Sequence, residues 1–320
     1  MRQAGRYMPE YRAIRAKYSL LDICRQPELA TEVTLQPVNR LDVDAAILFS
    51  DLLLPFEPMG IPFDFIKGEG PNIERPVRSA DDVRRLKSFD SRESLAHVLA
   101  TIKLVKQELD GHVPLIGFAG APFTLASYAI EGGPSRNYAV TKALMYGEPK
   151  IWHQLCELFA STVSAYLLAQ IEAGVDAVQL FDSWVGALCV RDYREFVLPH
   201  SKKIIEAAME SGVPVIHFGT GTATLLEAMA DAGSDIIGVD WRIPLDDAWT
   251  RIGKNRGIQG NLDPTLLLGP IERMLESADE ILRRAGNRPG HIFNLGHGIL
   301  PETPVENVQA LVDFVHTRST

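Results

Sequence analysis

Three short joints constrain this chain more than any other feature. Glu-Ala-Gly-Val-Asp at 172–176, Glu-Ser-Gly-Val-Pro at 210–214 and Asp-Ala-Gly-Ser-Asp at 231–235 share one design. Each closes a helical pattern at a glycine (Gly174, Gly212, Gly233) and opens an apolar run almost at once. Glycine tolerates the left-handed conformation that stops a helix. A helix that stops immediately before a strand is one half of a βα unit, and such units in series lay their strands parallel. The runs at 45–49, 114–119, 176–181, 214–218, 235–239, 257–261 and 291–295 read as strands buried on both faces, as parallel strands are. Helical patterns lie between most of them. The clearest is 150–173, where Ile151, Leu155, Leu158, Phe159, Tyr166, Leu167 and Ile171 recur at helical spacing.

Few architectures satisfy this repeat. No G-x-G-x-x-G follows the first run, which disfavours a dinucleotide-binding sheet. A (β/α)8 TIM-type barrel takes about 250 residues. The 320 residues here leave room for extra N-terminal helices and a long insertion. Seven strands are legible and an eighth is ambiguous. No Ser/Gly-rich linker divides the chain, so residues 1–320 are read as one α/β barrel domain, distorted from the ideal.

Composition narrows the function classes. Hydrophobic residues at 46% and charged residues at 23% fit a globular enzyme. No apolar run approaches the roughly 20 residues that span a bilayer, and no apolar segment near the start resembles a secretory signal. Cys24, Cys156 and Cys189 form no paired motif, which reads as reduced, buried thiols in a cytosolic protein. A net charge of -9 argues against nucleic acid as a partner. Against that acidic background, Arg2, Arg6, Arg12 and Arg15 crowd into the first fifteen residues. Arginine presents a planar fork of donors that fits carboxylate or phosphate. A solvated, positively charged chain start is the ordinary alternative. However, Gln3, Ala4 and Gly5 between two of the arginines would let backbone approach a ligand, and Tyr7, Met8, Pro9 and Tyr11 look like packing residues.

In a barrel of this kind, function lies just past the C-terminal ends of the strands. Asp51, Tyr128, Ser183, His217, Gly219, Asp240, Asn261, Asp263 and His297 all fall there. Several have a plainer reading. Asp182, Ser183 and Asp263 suit helix N-caps, and His217 suits a satisfied core histidine. His297, between Gly296 and Gly298, lacks a helical face to shield it.

These residues lie within longer blocks. MRQAGRYMPEYR (1–12) and GFAGAPFTLASY (117–128) resemble the two signatures of the uroporphyrinogen decarboxylase family. FSD (49–51), LFDSWVGAL (180–188), QGNLDP (259–264) and NLGHGILPETP (294–304) are similar to further family blocks, in the same order and out to about Asn307. The resemblance implies a distorted (β/α)8 barrel, a homodimer, and catalysis without cofactor or metal. The implied reaction removes the four acetate carboxyls of uroporphyrinogen III to give coproporphyrinogen III, in haem or chlorophyll biosynthesis. It implies a cytoplasmic enzyme, or a stromal one in a plastid. Arg2, Arg6 and Arg15 match carboxylate-binding arginines, with Gln3, Ala4 and Gly5 in the same substrate loop. Asp51 matches the aspartate that accepts from the pyrrole N–H groups, Tyr128 a tyrosine at the reacting face, and Ser183 and His297 residues on substrate side chains. Family members carry a few tens of residues ahead of the first signature, which implies either a shortened chain or a misassigned start; a shortened chain would hold the first loop less well, Arg2 most of all.

The implied chemistry demands these residue types. Eight substrate carboxylates are costly to bury unpaired, which arginines offset. Losing CO2 from a pyrrole acetate needs an electron sink, and protonating the ring next to its nitrogen supplies one. An ionised Asp51, which only accepts, would stabilise the cation as it forms. It would reach four N–H groups only from one side of a domed macrocycle. Arg6, or a water that it holds, is the expected proton donor; a guanidinium is a poor acid, which favours the water.

Two rival readings remain open. Zinc-dependent methyltransferases of the same superfamily use a His-x-Cys element at a strand end. The corresponding place here is His217-Phe218-Gly219, without cysteine. The other rival is a tetrapyrrole-binding protein without catalysis, which would have no need of an anionic Asp51.

Overall fold

A computed structural model describes residues 3–66, 70–253 and 255–319. Its centre is a sheet of seven parallel strands: β1 Ala46–Ile47, β4 Leu115–Gly120, β5 Ala177–Phe181, β6 Val215–Phe218, β7 Ile236–Gly238, β8 Gly257–Leu262 and β9 His291–Leu295. The order is β1-β4-β5-β6-β7-β8-β9, so each strand pairs with the next strand of this sheet in chain order. All seven apolar runs form strands of this sheet. Among the described residues no eighth strand joins β9 to β1. The remaining two strands, β2 Phe63–Ile66 and β3 Gly70–Ile73, form a separate antiparallel hairpin inside the long insertion after β1. The sequence pattern did not show this hairpin, because its strands are half-exposed and carry Gly70 and Pro71.

The three joints behave as the glycines demand. Gly174, Gly212 and Gly233 have φ of +114°, +80° and +99°. At Gly174 the backbone N–H closes onto the Gln170 and Ile171 carbonyls, ending the helix Pro149–Ala173 with Gly174, Val175 and Asp176 between it and the start of β5 at Ala177. This 25-residue helix buries Leu155, Phe159, Tyr166 and Leu167 against the sheet, while Ile151, Leu158 and Ile171 are partly buried.

The larger core lies between the sheet and its helices and takes in Cys24 and Cys156, whereas Cys189, expected to be buried, is exposed just ahead of the helix Val190–Phe196. A second cluster joins the N-terminal segment to the end of the chain. Tyr7, Met8, Tyr11 and Ile14 pack with Leu262, Leu267, Met274, Ile299 and Val308. Tyr7, Met8 and Tyr11 are buried as packing residues, whereas Pro9 is exposed at the start of the helix Pro9–Arg15. Tyr11 also meets Phe49 just past β1, with ring centroids 5.7 Å apart. The arginine-bearing segment is therefore anchored beside the first strand and against the last ones.

Candidate active site

The strand ends present their polar groups on the C-terminal rim of the sheet. After β1 the chain turns through Phe49 and Ser50 to Asp51, which is half-buried. One carboxylate oxygen of Asp51 accepts the Leu53 N–H at 2.9 Å, which fixes the side chain against its own loop. Cys24 and Tyr166 lie close enough to feel its charge. Burial first, then Asp51 among other neighbours, pushes both of these groups up and keeps them protonated.

Tyr128 stands half-buried on the helix Pro122–Glu131 that follows β4. Its ring meets Trp184 edge-on at 5.9 Å, and Trp184 lies 6.0 Å from Tyr138. These three rings, with Ser127, Pro134 and Pro71 of the hairpin, line a cavity of about 120 Å³. The insertion thus supplies one wall of the rim. Ser183 is half-buried after β5, and its carbonyl accepts the Thr220 hydroxyl.

Asp182 takes a different role from the helix cap its position suggested. It is fully buried, accepting from Thr124 Oγ1 at 3.3 Å and Ser201 Oγ at 3.4 Å. Burial pushes its carboxyl up, against the lowering influence of His217, Thr124 and Ser201. His217 is equally buried, as a core histidine is, but it is not the satisfied one expected: its nearest carboxylate, Asp182, lies 3.8 Å away, beyond hydrogen-bond distance, and neither ring nitrogen makes a hydrogen bond among the described residues. Asp240 holds its own loop, accepting from the Gly221 N–H and the Arg242 N–H and pairing with the Arg242 guanidinium. Asn261 donates to the Asp240 and Ile243 carbonyls. Asp263 caps the short helix Pro264–Leu268 through Thr265, as its place before proline suggested.

His297 follows β9. Its Nδ1 accepts the Gly298 N–H at 2.6 Å, which places the proton of the neutral ring on Nε2. The N-terminal loop shares a core cluster with Leu295 and Ile299, which flank His297 in the chain; in this loop Ala4 and Gly5 are buried and Arg6 is exposed. Arg12 braces the loop by donating to the Arg6 and Tyr7 carbonyls, each at 2.8 Å. Arg15 donates to the Tyr18 carbonyl at the end of its own helix. Gln3 turns its carboxamide to β1, bonding Ala45 and Ile47, and its carbonyl accepts the Tyr7 hydroxyl at 2.7 Å. Arg2 lies outside the described residues.

The strand ends thus bring Asp51, Tyr128, Ser183 and His297 to one rim from β1, β4, β5 and β9. Trp184, Tyr138 and the bracing role of Arg12 were not singled out from sequence. For Trp184 the available signal was its place directly after Ser183 at a strand end. Among the described residues no group of three or more His, Cys, Asp or Glu side chains is gathered to hold a metal ion. Nor is any described helix long and apolar enough to cross a membrane.

Comparison with known proteins gives a consistent result. The profile of the uroporphyrinogen decarboxylase (URO-D) family matches residues 1–318. A protein of Sorangium cellulosum (strain So ce56) named uroporphyrinogen decarboxylase is 58% identical over 317 residues, covering 99% of this chain and 90% of that protein. One of the same name from Carboxydothermus hydrogenoformans is 57% identical over 320 residues, covering 100% of this chain and 91% of the other. Among solved structures, a methyltransferase from Methanosarcina mazei superposes with a TM-score of 0.76 at 23% identity, covering 92% of this chain and 87% of its own. A B12-independent methionine synthase from Shewanella sp. W3-18-1 superposes with a TM-score of 0.61 at 10% identity, covering 91% and 88%. At those identities the structural likeness speaks for the barrel-type fold alone.

Proposed function

The chain belongs to the uroporphyrinogen decarboxylase family, and on that premise we propose that it converts uroporphyrinogen III to coproporphyrinogen III without a cofactor. It acts as a single-domain barrel, as a homodimer, in the cytoplasm. The macrocycle sits over the rim with its four pyrrole N–H groups turned to Asp51. Arg6, joined by Arg2 and Arg15, receives substrate carboxylates, and Gln3, Ala4 and Gly5 form the loop that brings backbone close to them. Ser183 and His297 contact the remaining side chains, His297 donating through Nε2.

The reaction follows from where charge appears. A proton added to the pyrrole carbon beside nitrogen makes an iminium-like cation. The bond from the acetate methylene to its carboxylate then breaks, and its electron pair forms an exocyclic double bond that neutralises the ring nitrogen. CO2 leaves. A proton taken up at the methylene gives the methyl group, and loss of the ring proton restores the pyrrole. Asp51 stabilises the cation in place, with no reorganisation needed at that moment. Tyr128 orients the reacting acetate. A water held by Arg6 delivers the proton, since a guanidinium is a poor acid.

The observation that most supports this reading is the aspartate itself. Asp51 is half-buried, tied by one oxygen to Leu53, and presented on the rim that also carries Tyr128, Ser183 and His297. The test is an anaerobic, dark incubation of the purified protein with reduced uroporphyrinogen III, followed by oxidation and separation by carboxyl number. A ladder of seven-, six-, five- and four-carboxyl porphyrins without added metal or cofactor is expected. Unchanged eight-carboxyl material would overturn the proposal.

A further inference from the structure

Two glutamine side chains stand where neighbouring strands would be. β1 pairs with β4 as far as Leu48, whose N–H donates to the Ile116 carbonyl at 3.0 Å. Continued in that register, Phe49 would lie opposite Phe118 and Asp51 opposite Gly120. Instead the chain leaves the sheet at Phe49. Gln170 takes the vacated place: its Oε1 accepts the Phe118 N–H at 3.0 Å and its Nε2 donates to the Phe118 carbonyl at 2.9 Å. On the opposite edge of β1, Gln3 Oε1 accepts the Ile47 N–H at 2.9 Å and Gln3 Nε2 donates to the Ala45 carbonyl at 2.6 Å. Thr34 Oγ1 accepts the next N–H on that edge, from Phe49, at 2.9 Å.

A primary carboxamide carries the donor and acceptor of a peptide group side by side. It therefore supplies one rung of a ladder without continuing the strand. Gln170 is fully buried, so the Phe118 groups would otherwise be left without a partner or pull β1 back into register. The opposing backbone is shaped to admit it. A Cβ at Gly117 would lie 2.5 Å from Gln170 Oε1 and 3.1 Å from Val175 Cγ1. The first glycine of the block 117–128 thus has a stated reason to be glycine.

We infer that Gln170, with Gln3 on the opposite edge, is a positioning residue for Asp51. By ending the pairing of β1 at Leu48 it releases residues 49–51 from the sheet, and it sets the place where the aspartate meets the substrate. This inference rests on the decarboxylase reading above.

The test measures kcat and KM for uroporphyrinogen III in wild type, Gln170→Met and Gln170→Glu, each with Asp51 and with Asp51→Asn. Gln170→Met is expected to lower kcat by about tenfold or more, with KM held within about twofold because the arginine loop is intact. In the Asp51→Asn background the same change should cause no further loss, since the group being positioned has gone. Gln170→Glu keeps the paired donor and acceptor only while protonated, so its kcat relative to wild type should fall as pH rises. A wild-type kcat in Gln170→Met, equal losses in both backgrounds, or a pH-independent ratio for Gln170→Glu would each overturn the inference. If Gln170→Met does not fold, the pH behaviour of Gln170→Glu decides. An inactive wild type is a separate result: it removes the decarboxylase reading, and this inference falls with it.

Discussion

At the scale of single residues, a side chain's position after a strand and its hydrogen bonds carry different information. The places of Asp51, Ser183 and His297 just past strands were legible because each follows an apolar run, whereas Tyr128, on the helix after β4, was marked by the block it closes. Asp182 sits at the same kind of position, yet it turns inward to Thr124, Ser201 and His217. The difference is one of direction: a residue just past a strand can turn out over the rim or in toward the surrounding helices, and only the folded packing decides which. Asp51→Asn keeps shape and loses charge. It should lower kcat by about 10²–10³-fold and leave KM within a few-fold, as steady-state kinetics would show; an equal loss in both would count against the role. Arg6→Ala should raise KM by about tenfold, the contribution of one charged hydrogen bond, and should also lower kcat, because the water that delivers the proton loses its holder. Added salt should raise KM in the wild type more than in Arg6→Ala, because the lost attraction is the screened one.

At the scale of elements, the helix–glycine–strand joints are the most predictable part of the molecule. Their conformation is local, and the adjoining helix and strand need only a left-handed residue between them. Gly212 shows the effect in isolation. Its φ is +80°, and an added Cβ would meet nothing within 4 Å. Gly212→Ala should therefore cost about 1–2 kcal/mol of backbone strain, read as a lower urea midpoint at unchanged slope and unchanged kcat. Gly117→Ala offers the contrast, because there a Cβ would strike Gln170 rather than strain the backbone. Gln170 was hidden in the helical pattern of 150–173 for a related reason. It occupies the apolar stripe three residues after Leu167 and four after Tyr166. A polar residue at such a place is a signal, but its partner Phe118 is 52 positions away in sequence.

At the scale of the whole molecule, long-range contacts place the arginine loop and also set the response to pH. His200, on the helix Leu198–Met209, shares a hydrogen bond of 2.9 Å with His153 of the helix Pro149–Ala173. Burial first, then His153, hold His200 down to about 4, while Glu157 favours its charged form and Lys203 opposes it. An unfolded chain takes up that proton from 6.5 downward. Between those values the unfolded state binds more protons, so stability rises with pH and is lost as pH falls through the window. His200→Gln should flatten the dependence of the urea midpoint on pH between pH 4 and 7, removing a slope of at most about 1.4 kcal/mol per pH unit. A slope unchanged from wild type would show that other groups set it. The sequence by itself determined the parallel α/β architecture, the seven strands and the strand-end positions of the candidate residues, because helix stops and apolar periodicity are local. It also carried the family, through blocks long enough to be specific. Only the tertiary structure decided that the N-terminal segment packs against the end of the chain, that a hairpin walls one side of the rim, and that two glutamines take the place of strand neighbours. The glutamine bonds join groups 42 and 52 residues apart, the N-terminal segment packs on residues from the far end of the chain, and no local pattern encodes such meetings.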